Sequence, residues 1–355
     1  MILKDKTILV TGGTGSMGKT LVHRLLAGEL GTPKKVIVLS RDEAKQHDMR
    51  MSYLNRRVST DEVIFNNFVN VLEFRIGDVR SYEDVCSAVK SADIVVNAAA
   101  LKQVPTCEYF PVQAVLTNCL GASNVVRAIE EQGYPVQTVV GISTDKACKP
   151  VNVMGMTKAV QERIFVAANI LNPGTRFVCV RYGNVLASRG SVIPLFHDQI
   201  KNGGPVTITA PEMTRFLLSL DDAVDTVFAA LKEAKRGETY IPRAPSATVI
   251  NIGRALIGSR NIAMNTIGVR PGEKMHEILI SEEEMHHCVR RGGYYAIQPM
   301  LPELRQSTAS EPNALEKEYS SGDEVLDLAG TAALLKKHRL MVEDADLGDR
   351  PELLR

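Results

Sequence analysis

Six short β-branched runs, each followed by a stretch of helical periodicity, leave this chain very few folds to adopt. The runs are KTILVT (6–11), KKVIVLS (34–40), VLEFRIGD (71–78), ADIVVNAA (92–99), VQTVVGIS (136–143) and RFVCVRYG (176–183). Between them, segments such as MGKTLVHRLLAGEL and VQAVLTNCLGASNVVRAIEEQG place apolar residues at i, i+3, i+4 and i+7. Strand then helix, repeated, predicts an α/β fold: a doubly wound parallel sheet of the Rossmann type, covered by helices on both faces.

The first strand runs into TGGTGSMGKT, where Gly12, Gly15 and Gly18 are spaced G-x-x-G-x-x-G ahead of an amphipathic helix. Such a turn folds tightly, lets the backbone approach a pyrophosphate and offers it the free N–H groups of a helix start. Gly12, Thr14, Gly15, Ser16, Met17 and Gly18 are therefore expected at a dinucleotide. The second strand ends at Ser40-Arg41, with Lys45 one turn on, and cations there accommodate a ribose 2′-phosphate. NADP is expected over NAD, although Asp42 and Glu43 open the same helix. Asp78 and Val79 are expected to flank the adenine. Ala98, Ala99 and Ala100, at the fourth strand's end, would let the backbone close on the cofactor, with Lys102 just beyond and Asn118 on the next helical pattern.

Chemistry is expected where the fifth strand ends, in STDKACKPVNVMGMTK (143–158). Thr144, Asp145 and Lys146 leave that strand at its carboxyl end, and Lys158 follows on the next helix. Lys102, Lys146 and Lys158 aimed at one pocket would lower one another's pKa, and a partly neutral lysine can act as a base.

Past Tyr182 the alternation weakens and Pro and Gly become frequent. Residues 1–182 are read as the dinucleotide domain, with 216–250 returning to it. Residues 183–300 are read mainly as a substrate domain, and 301–355 as an extension with one more helix over 327–340 and a poorly ordered end. With 42 basic and 41 acidic residues the chain has no electrostatic reason to bind nucleic acid. The six cysteines are scattered, without C-x-x-C pairs or histidines at metal-ligand spacing, so no metal is expected. No apolar run reaches membrane-spanning length, and MILKDKTILVTGG leads directly into a strand, so a cytoplasmic protein without membrane insertion is expected.

Taken in order, TGGTGSMG, SRDEAKQHDMR, NAAALKQVPTCEYFPVQAVLTN, STDKACKPVNVMGMTK, RYGNVLASRGSVIPLF and RPGEKMHE resemble the inverting UDP-N-acetylglucosamine 4,6-dehydratases, a family of extended short-chain dehydrogenases. The similarity covers roughly residues 4–300, and the chain looks like the soluble form. The resemblance implies NADP-dependent oxidation at C4 of UDP-N-acetylglucosamine, loss of water across C5 and C6, return of the hydride to C6, and protonation of C5 from the opposite face. It makes Lys146 the candidate base at C5, Asp145 the candidate acid at C6 and Thr144 a partner of the C4 oxygen. As an acid Asp145 requires a raised pKa, which nearby lysines would oppose. Most short-chain dehydrogenases have Tyr-x-x-x-Lys, but this chain has Met154 before Lys158. A thioether cannot accept the C4 hydroxyl proton, which leaves Lys158 through a water, Asp145, or a residue from another loop.

The resemblance also implies that Arg215 and Arg270 meet the diphosphate and Glu273 the ribose hydroxyls. Asn184, Ser191, Val192 and Lys102 are then expected near the sugar and phosphates, Thr209 near the uracil, and a homo-oligomer, dimer or hexamer, in solution. Two other functions fit parts of the pattern: a UDP-N-acetylglucosamine 4-epimerase, which needs no acid at C6, and a non-catalytic NADP-binding regulator, for which Met154 speaks.

Overall fold

A computed structural model describes residues 1–54, 62–186, 191–305 and 311–346. The six apolar runs form strands β1 (Thr7–Thr11), β2 (Lys35–Ser40), β3 (Leu72–Ile76), β4 (Ile94–Asn97), β5 (Thr138–Ile142) and β6 (Arg176–Val180). They pair in parallel in the spatial order β3-β2-β1-β4-β5-β6. Strand direction is constant, but the order of connection reverses between β1 and β4, which opens a crevice at the carboxyl ends.

Three further strands complete a nine-stranded sheet beyond β6. Thr239–Pro242 lies parallel to β6, and the hairpin Cys288–Arg291 and Tyr294–Ile297 joins it antiparallel at the edge. The long stretch after Tyr182 thus crosses between two bodies rather than forming one. The helix Leu220–Glu233 returns to the large sheet, held at its start by a Ser219–Asp222 capping box, and Arg24 of the first helix, α1 (Ser16–Leu26), reaches Asp225 on it at 2.6 Å.

Each face of the sheet buries its own core. On one side Leu21, Val22 and Leu25 of α1 meet Val224 and Val227 over β1, β2 and β6; on the other Val85, Val125 and Phe165 cover Leu9, Val95 and Phe177. Strands buried on both faces explain the unbroken apolar runs. The smaller body gathers the helices Val192–Lys201, Val249–Ile257 and Leu328–Lys337 around Phe196, Ile252, Leu256 and Leu335. The last helix, capped by Asp327, ties residues beyond 301 into this body. Among the described residues no helix is long and apolar enough to cross a membrane.

Candidate active site

A cleft of about 1630 Å³ runs along the carboxyl ends of the strands, between the two bodies. Pockets for one drug-sized ligand span about 300–1,000 Å³, so this one has room for two such molecules end to end. Its first half is built by the glycine turn. Gly12 sits at φ +66°, and a Cβ there would lie 2.7 Å from the backbone N and Cα of Ala99, so only glycine lets the turn close on the end of β4. Gly15 precedes α1 without a side-chain cap, and no acidic residue occupies the first helical turn. The free N–H groups of α1 therefore point their partial positive charge into the cleft, where Thr14, Ser16, Met17 and Gly18 also line the wall.

Ser40 ends β2 with its hydroxyl 2.9 Å from that of Thr14. Arg41 and Lys45 line the same end, each with a carboxylate neighbour: Arg41 lies 3.6 Å from Asp78, and Lys45 pairs with Asp42. Asp78 and Val79 border this end and Ala98, Ala99, Ala100 and Lys102 the middle. The cradle fits a dinucleotide, with cations and carboxylates side by side beyond Ser40.

The second half is the exit of β5. Lys146 crosses toward the smaller body, its ammonium 3.0 Å from Asp145 Oδ1, 3.2 Å from Asn184 Oδ1 and 3.3 Å from Glu277 Oε1. The loop carrying it packs directly on the start of the helix Val153–Leu171: a Cβ on Gly155 would lie 2.1 Å from the Lys146 carbonyl oxygen. This contact accounts for the glycine in MGMTK. Asn152 caps the helix by accepting from the Gly155 N–H and donates to the Gly272 carbonyl, joining the loop of Arg270 and Glu273 to the same corner.

The pKa values of the two lysines shift in opposite directions. Around Lys146 burial favours the neutral form, but Asp145 and Glu277 outweigh it and raise the pKa above the ordinary lysine value. The expectation that neighbouring lysines make Lys146 partly neutral is corrected by these two carboxylates. Lys158 is the lysine that is lowered, to about 8, by burial; its ammonium donates to Gln161 Oε1 at 2.7 Å.

Two expected residues stand behind the cleft wall. Asn118, on a π-helical turn, is fully buried and spends its amide on the backbone of Leu101 and the hydroxyl of Thr157, so it braces the wall from behind. Asp145 is 0% exposed, with Oδ1 accepting from Thr144 and Lys146 and Oδ2 without a hydrogen-bond partner. Thr144, Lys146, Met154, Lys158, Asn184, Ser191, Val192, Thr209, Arg215, Arg270 and Glu273 all line the cleft. Arg215 is nearly buried and fixes the 270–277 loop through the carbonyls of Lys274 and Met275. Met154 packs with Cys107 and Ala114, an apolar wall where a phenol is usual.

Glu277 is the last residue of the RPGEKMHE block, but no role is read for it there, because nothing local distinguishes it from a surface acid; only the fold carries it to Lys146.

A family model described as "Polysaccharide biosynthesis protein" matches residues 8–299. A protein named UDP-glucose 4-epimerase from Rickettsia prowazekii is 45% identical over 299 residues, 82% of this chain and 83% of its own, and one of the same name from Rickettsia typhi is equally similar. Among solved structures, Pen from Bacillus thuringiensis is 34% identical with a TM-score of 0.85, over 96% of this chain and all of that one. DesIV from Streptomyces venezuelae, a dTDP-glucose 4,6-dehydratase solved with NAD, shares the fold at 22% identity and a TM-score of 0.64, over 76% of this chain and 86% of its own.

Proposed function

Because the chain belongs to the polysaccharide biosynthesis protein family, we propose that it modifies a nucleotide sugar as an NADP-dependent, C5-inverting 4,6-dehydratase of UDP-N-acetylglucosamine. One observation carries the reading: Lys146, at the end of β5 and on the cleft wall, stands between two carboxylates. Elimination across C5 and C6 needs a base and an acid side by side, whereas exchange of hydride at C4 alone needs neither at those carbons.

The dinucleotide, held by the Gly12–Gly18 turn, Ser40, Arg41, Lys45, Ala98–Ala100 and Lys158, supplies hydride acceptance at C4 of the sugar and hydride return at C6. The protein's own groups handle the protons. Thr144 Oγ1 already donates to Asp145 Oδ1 at 2.9 Å, so a C4 hydroxyl donating to Thr144 has a path to a carboxylate that bypasses the thioether of Met154. Oxidation at C4 acidifies C5, and Lys146 takes that proton. Arg215 and Arg270 suit a diphosphate, and Glu273, whose Oε2 is buried without a partner, suits ribose hydroxyls.

A homo-oligomer goes with this reading. Tyr109, Phe110, Val112 and Val115 are exposed beside Met156 and Val160 of the neighbouring helix, a large apolar surface for a single chain.

The second reading is a 4-epimerase, favoured by the name of the Rickettsia relatives. Incubation with UDP-N-acetylglucosamine in heavy water, with NADP or NAD added, separates them. Loss of one water with deuterium at C5 is the expected result, with NADP the better cofactor. Unchanged mass with a C4 epimer would establish the epimerase, and an unaltered sugar a dinucleotide-binding regulator.

A further inference from the structure

We propose that Glu277, and not Asp145, hands the proton to the departing C6 hydroxyl, having first received it from Lys146; this rests on the dehydratase reading. Both carboxylates touch the lysine, but they differ in where they stand. Glu277 lines the cleft, whereas Asp145 lies behind the wall and is engaged by Thr144. Glu277 Oε1 is 3.3 Å from the ammonium and 3.8 Å from Arg215 Nε, while its Oε2 is buried and has no partner. Asp145 Oδ2 is likewise without a partner, so the position on the cleft wall is what singles out Glu277.

The side chain springs from a clamped backbone. The Glu277 N–H donates to Ser321 Oγ at 2.9 Å, the Ser321 N–H donates to the Glu277 carbonyl at 2.8 Å, and the Ser321 hydroxyl lies 2.7 Å from that of Thr214. Ser321 belongs to the segment beyond residue 301, which thereby fixes a group of the active site. Two cations, Lys146 and Arg215, face two carboxylates, Asp145 and Glu277, so moving a proton inside the cluster leaves its total charge unchanged.

One transfer, from the Lys146 ammonium to the Glu277 carboxylate, creates the amine and the acid together; it runs against the pull that holds the proton on Lys146, so the pair is poised only in a small fraction at a time. The amine then takes the C5 proton, and the C5–H electron pair becomes the C5–C6 π bond. The C6–O bond breaks with its electron pair on oxygen, which accepts the Glu277 proton and leaves as water. Lys146 ends as ammonium and Glu277 as carboxylate, with no oxidant or reductant consumed in the elimination.

Fluoride leaves without needing a proton, so the 6-deoxy-6-fluoro analogue of UDP-N-acetylglucosamine isolates this role. Glu277→Gln is expected to lose water elimination by about 10²–10⁴-fold, yet expel fluoride at close to the wild-type rate with deuterium entering C5. Glu277→Asp, which keeps the carboxyl, should recover part of the water elimination, and dinucleotide binding with a single cooperative melt shows that each variant is folded. Equal loss on both sugars, unimpaired water elimination in Glu277→Gln, or the fluoride rescue appearing in Asp145→Asn instead would each overturn the assignment while leaving the dehydratase reading intact. Wild-type protein that eliminates from neither sugar would remove the reading itself, and the assignment with it.

Discussion

Lys146 and Lys158 come from opposite sides of one corner, the exit of β5 and the start of the helix behind it, and both are largely withdrawn from water. Their neighbours differ. Lys146 faces two carboxylates and an amide oxygen; Lys158 faces one amide oxygen, from Gln161, within a buried layer. Burial favours the neutral amine at both positions, and only at Lys146 is it outweighed. Residue type therefore says little about what a lysine does in this corner. The nearest anions decide it: the carboxylates hold the proton on Lys146, so one of them must take it before the amine can act as a base, while Lys158 releases its proton more easily and suits a hydroxyl partner.

The two lysines part most widely on turnover. Lys146→Met should lower the rate of water loss by about 10²–10⁴-fold, the usual contribution of a positioned acid or base, and leave dinucleotide affinity nearly unchanged. Lys158→Met should instead weaken the dinucleotide by about 10-fold or more, the worth of a hydrogen bond from a charged group. Equilibrium dialysis with the dinucleotide alongside single-turnover mass measurement checks both. A Lys146→Met protein that fails to hold the dinucleotide yet turns over when it is saturating would exchange the two roles.

A second test uses pH on the free protein. The ordinary lysine value is 10.5, and folding lowers that of Lys158 to about 8. Between these values the unfolded chain holds a proton there that the folded chain has released, so this residue makes the fold more stable as pH rises, by about 3 kcal/mol across the window. Lys146 works the other way: its raised value supplies stability that is complete below 10.5 and is lost as pH climbs through the folded value. Denaturant melts from pH 7 to about 12 should show the wild type gaining on Lys158→Met up to about 10.5 and, above that, losing ground to Lys146→Met. Two difference curves of the same sign would contradict the environments described.

Much of this is readable in the sequence because it is local. Each of the six parallel strands is announced by its own β-branched run, and the glycine turn by spacing within a few residues. The three remaining strands of the large sheet are not. TYIP ends in proline, CVRR and YYAI are short and carry little alternation, and they exist as strands because a neighbouring edge is there to pair with. The site divides in the same way. Thr144, Asp145 and Lys146 are adjacent in the chain and legible together, but which of them reaches the cleft, and that Glu277 meets them, depends on contacts made far along the chain. The protonation of Lys146 is hidden for that reason: the sequence shows the other lysines, and the fold adds a carboxylate.

The finest probe of the difference lies behind Lys158. Gln161 is fully buried, accepts from the lysine through Oε1 and donates through Nε2 to the Ile142 carbonyl at 3.0 Å, linking the helix to the last residue of β5. Gln161→Leu keeps the bulk and removes both bonds. The protein should lose about 1–3 kcal/mol of stability, the cost of unpaired buried groups, and the Lys158 pKa should fall further because a hydrogen bond to its charged form is gone. The alkaline gain in stability would start at lower pH in this variant. If it starts at the wild-type pH, burial alone sets Lys158, and the amide has no part in separating the two lysines.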